Sequence, residues 1–140
     1  MRYMIIVKND PKSEQEMPGP ELFEAMDKYN KSLVDAGILL AAEGLAGSDK
    51  GAIVSFEDGR FTVTDGPFTE ARELVAGFWI IQVKSKDEAI EWVKRIPFGN
   101  GESVELRKVA EPSDFAEALG AEAVAREESW RAEMEKQQHN

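Results

Sequence analysis

The chain has 140 residues, 42% of them hydrophobic and 31% charged, with a formal net charge of −10 at pH 7. That size and balance fit one globular domain with a two-layer core and exclude a wholly disordered chain. The acidic excess speaks against nucleic acid or an anionic membrane as partner, since both need clustered Lys and Arg.

There is no cysteine, which excludes disulfides, thiolate nucleophiles and zinc-thiolate sites. The one histidine is His139, beside the C-terminus, so no histidine general base is expected in a folded pocket. The chain opens straight into a strand pattern, and no apolar run approaches membrane-spanning length. A cytoplasmic protein of bacterial type is the natural expectation.

Tyr3-Met4-Ile5-Ile6-Val7 is a continuous apolar run and predicts a strand buried on both faces or nearly so. Residues 9–20 hold three of the six prolines and read as a loop. Pro20 suits the first position of a helix, where its missing N–H is not needed. Leu22, Met26, Tyr29 and Leu33 follow at helical spacing, Phe23 and Val34 widen the stripe, and Gly37 terminates it. Periodicity makes these core residues. Residues 38–45, apolar apart from Glu43, predict a second strand.

Asp58-Gly59 stands between two β-type runs, one with Ile53, Val54 and Phe56 and the other with Phe61 and Val63. Such a pair is the strongest short-range hairpin signal, because both central residues need positive φ. Gly77 then opens a strand, Phe78-Trp79-Ile80-Ile81-Gln82-Val83-Lys84, that repeats the pattern of the first. Ser85-Lys86-Asp87-Glu88 is a capping box. Ala89, Ile90, Val93 and Ile96 give the second helix its inward face; Trp92 lies off it and Pro97 ends it. Residues 103–109 form the last strand.

Strand, helix, strand, hairpin, strand, helix, strand predicts an α+β ferredoxin-like sandwich, with helices on one face of a largely antiparallel sheet and the hairpin inserted between its halves. That domain spans residues 1–110. Residues 111–140 form an acidic helical extension with eight acids against three bases. Ser113 is placed to cap one helix, with Asp114 and Glu117 in its first turn and Lys136 in its last. Phe115, Leu119, Ala123, Trp130 and Met134 lie near one face and predict docking on the chain's own domain or on a partner subunit.

Val63-Thr64-Asp65-Gly66-Pro67-Phe68, the following Glu70 and Arg72-Glu73, the Gly77 strand and Val104-Glu105-Leu106-Arg107 together resemble the DGPF-type branch of the YCII-related proteins. The resemblance covers roughly residues 1–110. It implies a ferredoxin-like fold that forms a homodimer through its sheet, a dimeric α+β barrel, in small bacterial cytosolic proteins, some of which occur with sigma-factor-like genes. Other members carry a His–Asp pair in a cleft. Counted from Ala36-Gly37, the His position falls at Met26 and the Asp position near Ile96, before Pro97, so neither side chain can move a proton.

Asp65-Gly66-Pro67-Phe68 has a structural reading as a rigid corner: Asp65 accepts from backbone N–H groups, Gly66 and Pro67 set the turn, and Phe68 anchors it. The functional reading sets Glu70, Arg72 and Glu73 around one pocket with Asp65, facing Glu43 or Arg107 from the sheet. Arg72 or Arg107 would hold a carboxylate or phosphate, and paired carboxylates would do acid–base work without histidine. No metal site is predicted, since Asp65, Glu70 and Glu73 follow no EF-hand pattern. No cofactor is expected either, because phosphate-binding and dinucleotide-binding glycine motifs are missing. The leading function is a homodimer binding a small polar or anionic molecule in an accessory or regulatory role. The alternatives are a cofactor-independent enzyme with Asp65 or Glu70 as base, and a protein-interaction module tied to sigma-factor-type regulation.

Overall fold

In the first unit of the chain, Met1–Lys108, the elements run β1 (Arg2–Asn9), α1 (Pro20–Asp35), β2 (Leu39–Gly44), β3 (Ala52–Glu57), β4 (Arg60–Asp65), β5 (Leu74–Gln82), α2 (Lys86–Val93) and β6 (Val104–Lys108). The structure is a computed structural model that describes residues 1–139; Asn140 and the side chain of His139 lie outside it.

The two strands with the repeated apolar run, β1 and β5, lie side by side at the centre of a four-stranded sheet ordered β2-β5-β1-β6. Every neighbouring pair in it is antiparallel. Tyr3 pairs with Ile81 and Ile5 with Trp79. This is the ferredoxin-like α+β sandwich. The hairpin, β3 with β4, forms its own two-stranded sheet between β2 and β5.

The core lies between that sheet and the helices. Tyr3, Ile5, Trp79 and Ile81 meet Tyr29 and Leu33 of α1, Ala89 of α2 and Ile96 just beyond it. Ile5, Leu33 and Ile81 have no exposed surface, and each such side chain contributes about 1.5–3 kcal/mol on burial. The other face of the sheet is open. Met4, Ile6, Phe78 and Ile80 are half-buried there, so β1 alternates rather than being covered on both faces. The apolar run concealed that alternation, because every residue in it is hydrophobic.

Several boundaries and faces differ from expectation. Phe23 and Val34 are 53% and 60% exposed; each lies one residue, about 100° of helix rotation, past the buried stripe. β5 begins at Leu74 rather than Gly77. α2 stops at Val93, and Ile96 reaches the core from a turn in which its N–H donates to the Val93 carbonyl at 3.1 Å. Ser85 Oγ accepts from the Glu88 N–H at 3.1 Å, while the Glu88 carboxylate accepts from Lys84 rather than from Ser85. Trp92 is half-buried, with the Arg95 guanidinium 4.3 Å above its ring.

At the hairpin tip Asp58 and Gly59 have φ of 51° and 75°, as a two-residue turn of this hand requires. Val54 pairs with Val63 and Phe56 with Phe61, which puts four apolar side chains on one face. All of β3 and β4 is exposed.

The second unit, Val109–Asn140, holds a 3-10 turn at Pro112–Phe115, α3 (Ala116–Leu119) and α4 (Ala121–His139). Gly120, at φ 80°, interrupts what the spacing predicted as one helix. Glu111 rather than Ser113 takes the capping position, and its N–H donates to Asp114 Oδ2 at 2.8 Å. Trp130 and Met134 of α4 are 58% and 53% exposed.

Candidate ligand cleft

Met26 and Asn30 are four residues apart on α1 and therefore share a side of the helix. Opposite them stand Gly77, Phe78 and Trp79 of β5, Ala42, Glu43 and Gly44 of β2, and Phe98 from the segment after α2; together they line a cleft of about 250 Å³. Its depth comes from missing side chains. Gly44 and Gly77 are cross-strand neighbours, and a Cβ at Gly77 would stand 2.8 Å from the Glu43 carbonyl oxygen. Only glycine permits β2 and β5 to approach this closely while leaving open space above them.

One polar chain runs along the wall. Trp79 Nε1–H donates to Asn30 Oδ1 at 2.7 Å. The Tyr29 ring meets Trp79 edge-on, centroids 5.5 Å apart, and the Tyr29 hydroxyl donates to the Trp92 carbonyl at 2.9 Å. Burial pushes the Tyr29 hydroxyl up to about 12, against a smaller opposing pull from Arg95.

Of the residues expected at a binding site, Glu43 lines this cleft. Asp65, Glu70 and Arg72 are exposed. Glu73 belongs to a different group, centred on Lys8, whose ammonium donates to Glu105 at 2.8 Å and to Glu73 at 3.2 Å. Arg107 reaches the same Glu105 at 3.3 Å. Hydrogen bonding to Glu105 and then to Glu73 raises the Lys8 pKa, and Lys8 followed by Arg107 lowers that of Glu105. By register, Glu105 and Arg107 stand beside Ile6 and Met4 on the open face of the sheet. Among the described residues no group of His, Cys, Asp or Glu is placed to hold a metal ion.

The Asp65-Gly66-Pro67-Phe68 corner is built into the backbone. Ser48 donates its hydroxyl and its N–H to the Glu14 carboxylate at 2.5 and 3.0 Å, and its Oγ accepts from the Phe68 N–H at 3.0 Å. Gly66 N–H donates to the Gly51 carbonyl at 3.0 Å. A Cβ at Gly66 would overlap the Ser48 carbonyl oxygen. Glu14 and Ser48 carry no sequence signal for this role; only the fold brings three loops together.

Asn30 and Phe98 were not singled out from sequence. The available signals were a polar residue four positions after Met26 on the apolar stripe, and two glycines inside predicted strands. A second hollow, about 360 Å³, lies within the C-terminal unit between Glu111, Pro112, Glu128 and Arg131. Among the described residues no helix is long and apolar enough to cross a membrane.

The chain is similar to known proteins in domain family, sequence and fold. The YCII-related domain matches residues 1–113. The uncharacterized protein R00369 of Rhizobium meliloti (strain 1021) is 30% identical over 119 residues, which cover 79% of this chain and 93% of the relative. A solved structure of 5-chloro-2-hydroxyhydroquinone dehydrochlorinase (TftG) from Burkholderia phenoliruptrix AC1100, in complex with 2,5-dihydroxybenzoquinone, is similar at 18% identity and a TM-score of 0.49, covering 79% of this chain and 95% of that one.

Proposed function

The chain belongs to the YCII-related family, and on that premise we propose that it is a homodimeric binding protein with an accessory or regulatory role, taking one small molecule in the cleft between α1, β2 and β5. The observation that carries the reading is the lining of that cleft. Met26 stands where the resemblance puts a histidine, among Trp79 and Phe98, with the Asn30 amide as the polar side chain and the backbone of Glu43 and Phe78 along the strand wall. Apolar walls with a few placed polar groups are the usual make-up of a small-molecule site. Of the six residues expected to bind ligand, Glu43 is assigned to the cleft.

Glu73 and Arg107 are assigned instead, with Lys8 and Glu105, to the rim of the sheet's open face. An apolar strip of Met4, Ile6, Phe78 and Ile80 rimmed by charge has the composition of a subunit interface. Asp65, Glu70 and Arg72 stay with the corner.

A thermal-shift screen with neutral, anionic and cationic fragments tests the binding reading. Bound compounds raise the melting temperature of the wild-type chain by mass action. Met26→Trp, which fills the cleft, is expected to remove every such shift. Shifts that persist in the filled variant, or no shift with any fragment, would overturn it. Sedimentation of Ile6→Glu tests the dimer: the wild type runs at twice the mass of the variant, and equal masses count against the interface.

A further inference from the structure

Resting on the reading of this cleft as a small-molecule site, we propose that Asn30 is its specificity-determining donor and that its ligand is an uncharged molecule with an apolar body and a hydrogen-bond-accepting oxygen. Trp79 Nε1–H can only donate, so the Asn30 atom 2.7 Å away must be the amide oxygen. That assignment is forced by chemistry.

With Oδ1 occupied, the free end of the side chain is Nδ2. Asn30 lines the cleft and is half-buried. Among the described residues its NH2 group has no protein partner. The site therefore offers donors, and a ligand carbonyl, amide or ether oxygen satisfies them.

The donor is also held in place before any ligand arrives. Trp79 is 4% exposed, its ring is braced edge-on by Tyr29, and Tyr29 is tied to the Trp92 carbonyl at 2.9 Å. A donor fixed at the end of such a chain gives up little freedom on binding, which raises selectivity for an acceptor at one position.

The cleft offers no counter-ion. Glu43, the ionisable residue of its lining, pairs with Phe78 across the β2–β5 ladder and so turns its side chain to the open face of the sheet, away from Trp79 and Asn30. A carboxylate or phosphate would lose its water there with no cation to pair with. This replaces the anionic ligand expected from Arg72 and Arg107, both of which are exposed. A cation would meet the positive ends of the Asn30 amide dipole. The flanking Trp79 and Phe98 suit a flat apolar body.

The test is an NMR titration of the full chain, following the Asn30 side-chain NH2 and the Trp79 indole N–H. Four probes of similar size are used: acetophenone (neutral acceptor), ethylbenzene (no acceptor), benzoate (anion) and benzylammonium (cation). Acetophenone is expected to shift both signals and to bind at least tenfold tighter than the other three. Asn30→Asp keeps an acceptor for Trp79 but removes the donor. It should retain the melting temperature within a few degrees and lose that tenfold preference. Two results would overturn the inference while leaving the binding reading intact: a charged probe or ethylbenzene binding as tightly as acetophenone, or an unchanged preference in Asn30→Asp. If no probe perturbs the cleft in the wild type, the binding reading fails and the inference fails with it.

Discussion

The central sheet and the hairpin are both antiparallel, both gather apolar side chains on one face through the alternation of the pleat, and are opposite in outcome. On the covered face of the sheet, Ile5 and Ile81 have 0% exposure; on the hairpin, Phe56 and Phe61 have 81% and 71%. Alternation creates a face in either case. Whether that face becomes core depends on what is laid across it, and α1 and α2 are laid across only one of the two sheets. The hairpin is held by its turn, its ladder and the locked corner at its base. A two-stranded sheet is marginal in water without such support.

The contrast can be broken or sharpened by substitution, beginning where the effect is greatest. Leu33→Ala and Ile81→Ala should each cost about 2–5 kcal/mol, because both side chains are fully enclosed and their removal leaves a cavity. Urea denaturation reads this directly, and a cost below about 1 kcal/mol would mean that the face is less tightly packed than it looks.

Gly66→Ala comes next. The added methyl overlaps the Ser48 carbonyl, so the corner must open, at a cost of about 1–3 kcal/mol. Hydrogen exchange should then speed up at the Phe68 amide, which Ser48 Oγ protects, before it changes in β1 or β5. Equal acceleration everywhere would show that the corner supports the whole domain rather than the hairpin.

A smaller effect is expected at high pH. The Tyr29 hydroxyl is raised to about 12 by burial, above its value in the unfolded chain of about 10. The unfolded chain therefore loses that proton first. The contribution is fully present below pH of about 10 and is lost as pH rises through about 12. Melting curves across that window should flatten in Tyr29→Phe, and an unchanged pH slope in the variant would remove Tyr29 as its source.

Phe56→Thr is the smallest. On a face with no cover the change should stay within about 0.5 kcal/mol. A loss of about 2 kcal/mol or more would show that the hairpin face is buried in the protein as it exists in solution.

Much of the fold was legible in the residues because its signals are local. Asp58-Gly59 demands a two-residue turn, Pro20 and Gly37 bracket α1, Ser85 with Glu88 starts α2, and the repeated apolar run marks the two central strands. Each acts within a few residues of itself, so reading along the chain suffices. The boundaries drifted where tertiary contacts decide them, as at Val93 and Leu74.

The cleft is a different matter. Sequence drew attention to Asp65–Glu73 because charge gathers there beside a turn. Tertiary structure spread those side chains over the surface and over the Lys8 group, and set Asn30 against Trp79 across 49 positions of the chain. Composition and local pattern by themselves determined the fold class, the order of its elements and the absence of cysteine and of any histidine before His139. Only the packing of α1 on β5, with Gly44 and Gly77 leaving room between them, decided which residues share a cavity. A cavity is made by what is missing between distant segments, and that is written in no single stretch of sequence.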